Sequence, residues 1–193
     1  MDEATDPTGP FAGRVSKVLI AGPVGVGKTT ATRSASDVPV LHTEARPSDE
    51  VRALKSGTTV AMDFGVLRLD AHHVVHLYGT PGQRRFDFMW DILASGGAAV
   101  VVLVDGSGTA SPADDLADYL EAYAPLAARG RLALGVTRLA RRGRRGLEPW
   151  HRELERRGLR PPVFEADPRV RRDVEALVRA ALAPRRRDAG PAR

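Results

Sequence analysis

Apolar residues fall along this chain in short blocks of two periods. Ala98 to Val104 is an unbroken, largely β-branched run, the pattern of a central strand buried on both faces. Val15 to Ala21 and Leu132 to Val136 read as further buried strands, and Pro162 to Ala166 as an edge-like one. Val66 to Leu69 and His73 to Tyr78 alternate as strands do, and the Asp70-Ala71-His72 connection between them is too short for a parallel crossover. An antiparallel hairpin is therefore predicted there. Helical spacing predicts helices from Lys28 to about Ser36, around Phe86 to Leu93, from Pro112 through Asp115, Leu116, Tyr119, Leu120 and Tyr123, from Glu148 to Arg157, and from Val170 to Ala183. Pro112 suits the first position of its helix, whose missing amide donor is unpaired anyway. In the last helix Val170, Val174, Leu177, Val178 and Leu182 share one face. The stretch through Pro39 and Pro47 is read as irregular. Strands alternating with helices predict an α/β sandwich with a mostly parallel six-stranded sheet and one antiparallel edge hairpin.

Both ends lack this periodicity. Residues 1–13 carry Pro7, Gly9, Pro10 and Gly13, and 184–193 is rich in Pro, Gly and Arg, so 14–183 is read as one domain between disordered tails. The chain has 193 residues, enough for one sizeable core. No stretch of 18 apolar residues occurs and the first residues are acidic, the opposite of a secretory leader. A cytoplasmic protein is expected. Without cysteine, disulfides and thiolate metal sites are excluded.

The net charge of +5 is concentrated in Arg138, Arg141, Arg142, Arg144 and Arg145 and again in Arg185, Arg186 and Arg187. These clusters suit a solvated surface first, and peripheral association with an acidic membrane face second. No aromatic residues interleave with them, so no nucleic-acid partner is expected. The histidines His42, His72, His73, His76 and His151 show no i,i+4 helical pair, so no zinc site is read from them.

The chemistry starts at Gly22-Pro23-Val24-Gly25-Val26-Gly27-Lys28-Thr29, which fits G-x-x-x-x-G-K-[ST] between a strand and a helix. Glycines let the backbone wrap an anion, the loop amides point at phosphates, and the helix that follows turns its positive end there. Lys28 is placed on the β and γ phosphates, and Thr29 on Mg2+, with Thr30 next in the first helical turn. Only Lys17, Lys28 and Lys55 are lysines in this Arg-rich chain, so Lys at the one motif position that requires it is informative.

A single antiparallel pair early in an otherwise parallel P-loop sheet resembles the Ras-like small GTPases. Gly79-Thr80-Pro81-Gly82-Gln83 lies where that family has D-x-x-G-Q. The resemblance places the Gly82 amide on the γ phosphate and makes Gln83 the residue that orients the attacking water. Gly79 stands where the family has Asp. Thr59, with Thr58 beside it, lies where the family senses Mg2+ and γ phosphate, and Asp63 either holds a metal-bound water in place of the missing carboxylate or caps a turn. The T-x-x-x-D-F pattern ending at Phe64, together with T-P-G-Q, resembles the gliding-motility polarity GTPases and, more closely, the conservon GTPases of actinobacteria.

That resemblance implies GTP, GDP and Mg2+ as ligands. It implies a nucleotide-dependent signalling switch, with a Roadblock-type regulatory protein and a sensor-kinase-like membrane protein as partners. The base would be met by Thr137 and the Arg138 stem, and its oxygen by the Ala166 or Asp167 amide. The guanine-reading Asp position is Ala140, which cannot bond guanine. Thr58 stands where the motility group carries an arginine just before the switch Thr, and although Arg52, Arg84 and Arg85 are near in sequence, slow hydrolysis is expected. Two rivals stand beside this reading: a nucleotide-binding scaffold that does not hydrolyse, and a P-loop ATPase whose apolar strand 99–104 ends in Asp105 as a Walker B carboxylate.

Overall fold

The computed structural model describes residues 13–45, 60–80, 98–108, 112–139 and 146–183. The helix expected around Phe86 to Leu93, both tails, Thr59, Gly82, Gln83 and Ala140 lie outside the described residues. The strands are β1 (Arg14–Ala21), β2 (Leu41–Ala45), β3 (Val60–Asp70), β4 (His73–Gly79), β5 (Ala99–Asp105), β6 (Leu132–Thr137) and β7 (Val163–Glu165). The described helices are α1 (Lys28–Ala35), α2 (Pro112–Ala122), α3 (Ala124–Ala128), α4 (Glu148–Arg156) and α5 (Arg171–Leu182).

The strands form one sheet in the order β2-β3-β4-β1-β5-β6-β7. Pairing of β1 with β4 and β5, of β5 with β6 and of β6 with β7 is parallel. The predicted hairpin is present as β3 and β4, and Asp70 braces its turn by accepting from the His72 amide at 2.8 Å. It is not at the edge, however, because β2 pairs antiparallel along the outer side of β3, with Leu41 opposite Phe64. Among the described residues the sheet thus has seven strands where six were expected. Leu41-His42-Thr43-Glu44-Ala45 carries no alternation of its own, and its strand conformation comes from the ladder that β3 offers.

Two apolar layers cover the sheet. On one face Val18, Ile20, Val101 and Leu103 meet Ala31 and Ala35 of α1 and Val174, Leu177 and Val178 of α5. On the other, Leu19, Val100, Val102 and Val104 meet Leu116 and Leu120 of α2 with Trp150 and Leu154 of α4. β5 is buried from Ala99 through Val104, as its unbroken apolar run required. Helices on both faces of a mostly parallel sheet make the three-layer α/β sandwich of a P-loop domain, and the carboxyl ends of β1, β4, β5 and β6 converge on the loops that build the site.

Candidate functional site

Residues 22–27 form the turn between β1 and α1. Gly22 and Gly27 both have positive φ, at 139° and 108°. A Cβ on Gly22 would lie 2.2 Å from the Leu103 carbonyl oxygen, and one on Gly27 would lie 2.7 Å from Pro168 Cγ. Glycine is therefore required at both for conformation and for space. Gly27 is the N-cap of α1 and the first turn of that helix contains no acidic side chain, so its free amides and its positive end face the loop's hollow.

Lys28 folds back over this hollow, its Nζ donating to the Gly22 carbonyl at 2.8 Å and to the Pro23 carbonyl at 2.7 Å. Burial lowers its pKa from 10.5 to about 8, with the Asp63 carboxylate pulling the other way. An ammonium held by two neutral carbonyls and one nearby carboxylate is short of negative charge. A phosphate entering the loop supplies it.

Gly79, which stands where Ras-like GTPases have a carboxylate, lies beside one in space. The β3–β4 register sets Asp63 directly opposite Gly79, and a Cβ on Gly79 would come within 3.0 Å of Asp63 Cβ and 3.2 Å of its Oδ2. Asp63 occupies the space beside the end of β4 because residue 79 has no side chain. Its Oδ1 lies 2.6 Å from His42 Nδ1 on β2, and His42 Nε2 lies 2.6 Å from Arg33 Nη2 on α1. A guanidinium can only donate, so Nε2 accepts and Nδ1 is left to donate to Asp63. Next along the chain Thr80 is buried, and its amide donates to the Ile20 carbonyl at 3.0 Å. The segment that leads to Gly82 and Gln83 is thus rooted on β1.

A cavity of about 710 Å³ opens from the P-loop toward the ends of β6 and β7. Gly25, Val26, Gly27 and Thr30 line one side, Arg138 and Leu139 another, and Glu165 to Arg169 with Asp173 the far end. Arg138 has φ 55°, the one positive value at a non-glycine position among the described residues. Its guanidinium donates from one nitrogen to the Gly25 carbonyl and from the other to Asp105 Oδ2. The backbone conformation is strained for an arginine, the kind of cost that persists where the surroundings hold it.

Thr137 has no exposed surface. Its hydroxyl donates to the Val104 carbonyl at 3.1 Å and its carbonyl accepts from Gly106 N at 2.7 Å. It fixes the end of β6 and does not reach the cavity. Asp105 accepts from the Ser107 amide at 2.9 Å and from Arg138. Burial opposes its ionisation, but the bonds from Ser107 and Arg138 outweigh that and hold its pKa below the usual carboxylate range. Its carboxylate is committed to Ser107 and Arg138.

The amides of Ala166 and Asp167 are in use. Ala166 N donates to the Val136 carbonyl at 3.0 Å, and Asp167 N to Asp173 Oδ2 at 3.1 Å. Arg169 pairs with the Asp167 carboxylate through Nε and Nη2 and, with its own amide, lowers that carboxyl's pKa to about 2. Asp173, in the first turn of α5, lines this end of the cavity with them, and along the chain it reads only as a complement to the helix dipole.

Residues 40–130 match the model of a family described as "Conserved hypothetical ATP binding protein". That span holds β2 to β5 and excludes the P-loop, Arg138 and Asp173. The uncharacterized protein MJ1339 of Methanocaldococcus jannaschii is 33% identical over 91 residues, which are 47% of this chain and 51% of that one. The chain therefore spans about half the length of this curated relative. Among solved structures, the G domain of the T. maritima FeoB iron transporter has a TM-score of 0.59 at 19% identity, over 88% of this chain and 98% of that one. The Methanococcus maripaludis translation elongation factor SelB, solved with a GTP analogue, has a TM-score of 0.61 at 11% identity, over 88% of this chain and 34% of that one. The chain has the fold of a P-loop G domain.

Proposed function

We propose that this chain is a nucleotide-dependent signalling switch that hydrolyses its bound triphosphate slowly. The observation that carries the proposal is Lys28: half-buried, its pKa lowered, and held over the P-loop by two carbonyls that a phosphate would replace. Mg2+ fits the donors present, since Thr29 lies in the first turn of α1 and Asp63 lies in the space a residue-79 side chain would otherwise fill. Thr29 would hold the ion and Asp63 a water on it; the ion's chemistry is to neutralise charge on the phosphates. Gln83 then orients the attacking water, and loss of the γ phosphate releases the segments around Thr59 and Gln83.

The Ras-like resemblance supports GTP and GDP as ligands, and also the partners expected from it: a Roadblock-type regulator and a sensor-kinase-like membrane protein. No described helix is long and apolar enough to cross a membrane. The phosphate end fits any nucleoside triphosphate, and the description of the matched family favours ATP as a second reading. Asp105 does not support a Walker B role in that second reading, because Arg138 and Ser107 engage its carboxylate.

Single-turnover hydrolysis with GTP and with ATP in Mg2+, set against Gln83→Leu and Lys28→Ala, tests the proposal. Slow turnover abolished by Gln83→Leu, with binding lost in Lys28→Ala, is expected. Binding without any turnover would leave the non-hydrolysing scaffold, and a rate near that of an activated GTPase would contradict slow hydrolysis.

A further inference from the structure

Side chains from three elements meet in a line beside the P-loop helix. Arg33 of α1, His42 of β2 and Asp63 of β3 are joined by two contacts of 2.6 Å, Arg33 Nη2 to His42 Nε2 and His42 Nδ1 to Asp63 Oδ1. His42 and Asp63 are partners in the β2–β3 register, so they share one face of the sheet. An exposed cross-strand pair of this kind would contribute little. The two ends of this one differ, however: the His42 side chain is 53% exposed and that of Asp63 only 13%. His42 engages Oδ1 alone. Oδ2 lies 3.2 Å from where a Cβ on Gly79 would stand, and among the described residues nothing bonds to it. The charge of Asp63 is also felt by the Lys28 ammonium, so the carboxylate acts toward the phosphate end of the site.

Resting on the Mg2+ reading above, we infer that His42 is a positioning residue for Asp63: it takes Oδ1 and so leaves Oδ2 as the acceptor for a water on Mg2+, while Arg33 fixes the His42 ring. The last torsion of an Asp side chain is broad and roughly two-fold, so an unheld carboxylate presents either oxygen. One directional donor on Oδ1 removes that freedom. The donor's identity is itself set by Arg33, because a guanidinium only donates; Nε2 must accept, and the ring proton is left on Nδ1, the atom that faces Asp63. An imidazole with its one proton on Nδ1 supplies this bond without a full positive charge beside a site for a cation. Outer contacts of this type orient metal-site carboxylates and tune their strength as acceptors. Arg33 belongs to the helix that also carries Lys28 and Thr29, so the orientation of Asp63 is tied to the element that presents the P-loop.

The Mg2+ dependence of nucleotide binding tests this. N-methylanthraniloyl GDP, with the ADP derivative in parallel, is titrated into the nucleotide-free full chain in EDTA and across a series of Mg2+ concentrations. The natural chain is expected to bind more tightly in Mg2+ than in EDTA. In His42→Leu the Mg2+ concentration that gives half of this gain should rise about tenfold, the lower end of the range for a group that holds a metal-site ligand, while affinity in EDTA stays at the natural value. His42→Asn, whose side-chain NH2 can occupy the place of Nδ1, should restore most of the natural dependence. Asp63→Ala should shift the dependence at least as far as His42→Leu, and His42→Leu added to Asp63→Ala should change nothing further. Equal weakening of His42→Leu in EDTA and in Mg2+ would make the pair a structural cross-strand contact and overturn the inference, as would additive effects in the double variant. A shift in Asp63→Ala with none in His42→Leu also overturns it but leaves Asp63 at the site. A natural chain that gains nothing from Mg2+, or an unchanged dependence in Asp63→Ala, overturns the Mg2+ reading and the inference together.

Discussion

Arg138, at the end of β6, donates a hydrogen bond to the carbonyl of Gly25 in the P-loop, 113 residues earlier in the chain. The same guanidinium binds Asp105 at the end of β5, so one side chain joins three loops around the cleft. The Arg138 side chain is 54% exposed, which limits what its ion pair contributes. It thereby ties the P-loop to the ends of β5 and β6.

Arg138→Ala should therefore weaken nucleotide binding by roughly five- to tenfold, the loss of about 1 kcal/mol of preorganisation. Arg138→Gly loses the same bonds but accepts φ 55° without strain. Its thermal stability should exceed that of Arg138→Ala by about 0.5–1 kcal/mol. Equal melting of the two variants would show that the backbone at 138 carries no strain.

Placing a carboxylate at position 79, where Ras-like GTPases have one, should fail unless Asp63 is removed. In Gly79→Asp the new Cβ meets Asp63 at 3.0 Å and sets two carboxylates side by side. A loss of about 1–3 kcal/mol is expected from crowding and like-charge repulsion. The double change Gly79→Asp with Asp63→Gly moves the carboxylate across the strand pair and should recover most of that loss together with Mg2+-dependent nucleotide binding. Calorimetric unfolding of the two variants checks the first statement, and an Mg2+ titration of nucleotide affinity the second.

Nucleotide affinity should fall at alkaline pH. Lys28 has a pKa of about 8 in the nucleotide-free protein against 10.5 for the free side chain, so above pH 8 it loses its proton in the fold while an unfolded chain keeps it. The unfolded state then binds more protons, and the nucleotide-free fold gains stability as pH rises from about 8 toward 10.5. Phosphate reverses this by favouring the ammonium, so binding takes up a proton and affinity drops by up to about tenfold per pH unit in that window. Calorimetric titration between pH 7 and 9.5 in buffers of different ionisation enthalpy measures the uptake. A flat affinity across this range would exclude Lys28 as the phosphate ligand.

Asp105→Asn should leave single-turnover hydrolysis within about threefold of the natural rate, since its carboxylate acts on Arg138 and Ser107 and not on a metal. A loss approaching that of a true metal ligand, of order 10³-fold or more, would restore the Walker B assignment.

The sequence by itself determined the parts whose physics is local. The glycines and Lys28 of the P-loop follow from a short motif, β5 from an unbroken apolar run that only a doubly covered strand can hold, and the β3–β4 hairpin from a connection too short for any other path. The α/β class followed from strands and helices alternating. Tertiary structure alone decided the rest, because each piece depends on a neighbour distant in sequence. β2 is too polar to declare itself and takes its conformation from the ladder of β3. Whether Asp63 could stand in for the absent residue-79 carboxylate turned on a strand register, since a shift by one residue would send its side chain to the opposite face. Thr137, placed on the base by motif position, is turned into the core by its bond to the Val104 carbonyl. Asp173 reads along the chain as a first-turn helix acid, and it lines the cavity only because the start of α5 folds back against the loop after β7, where its carboxylate caps the Asp167 amide.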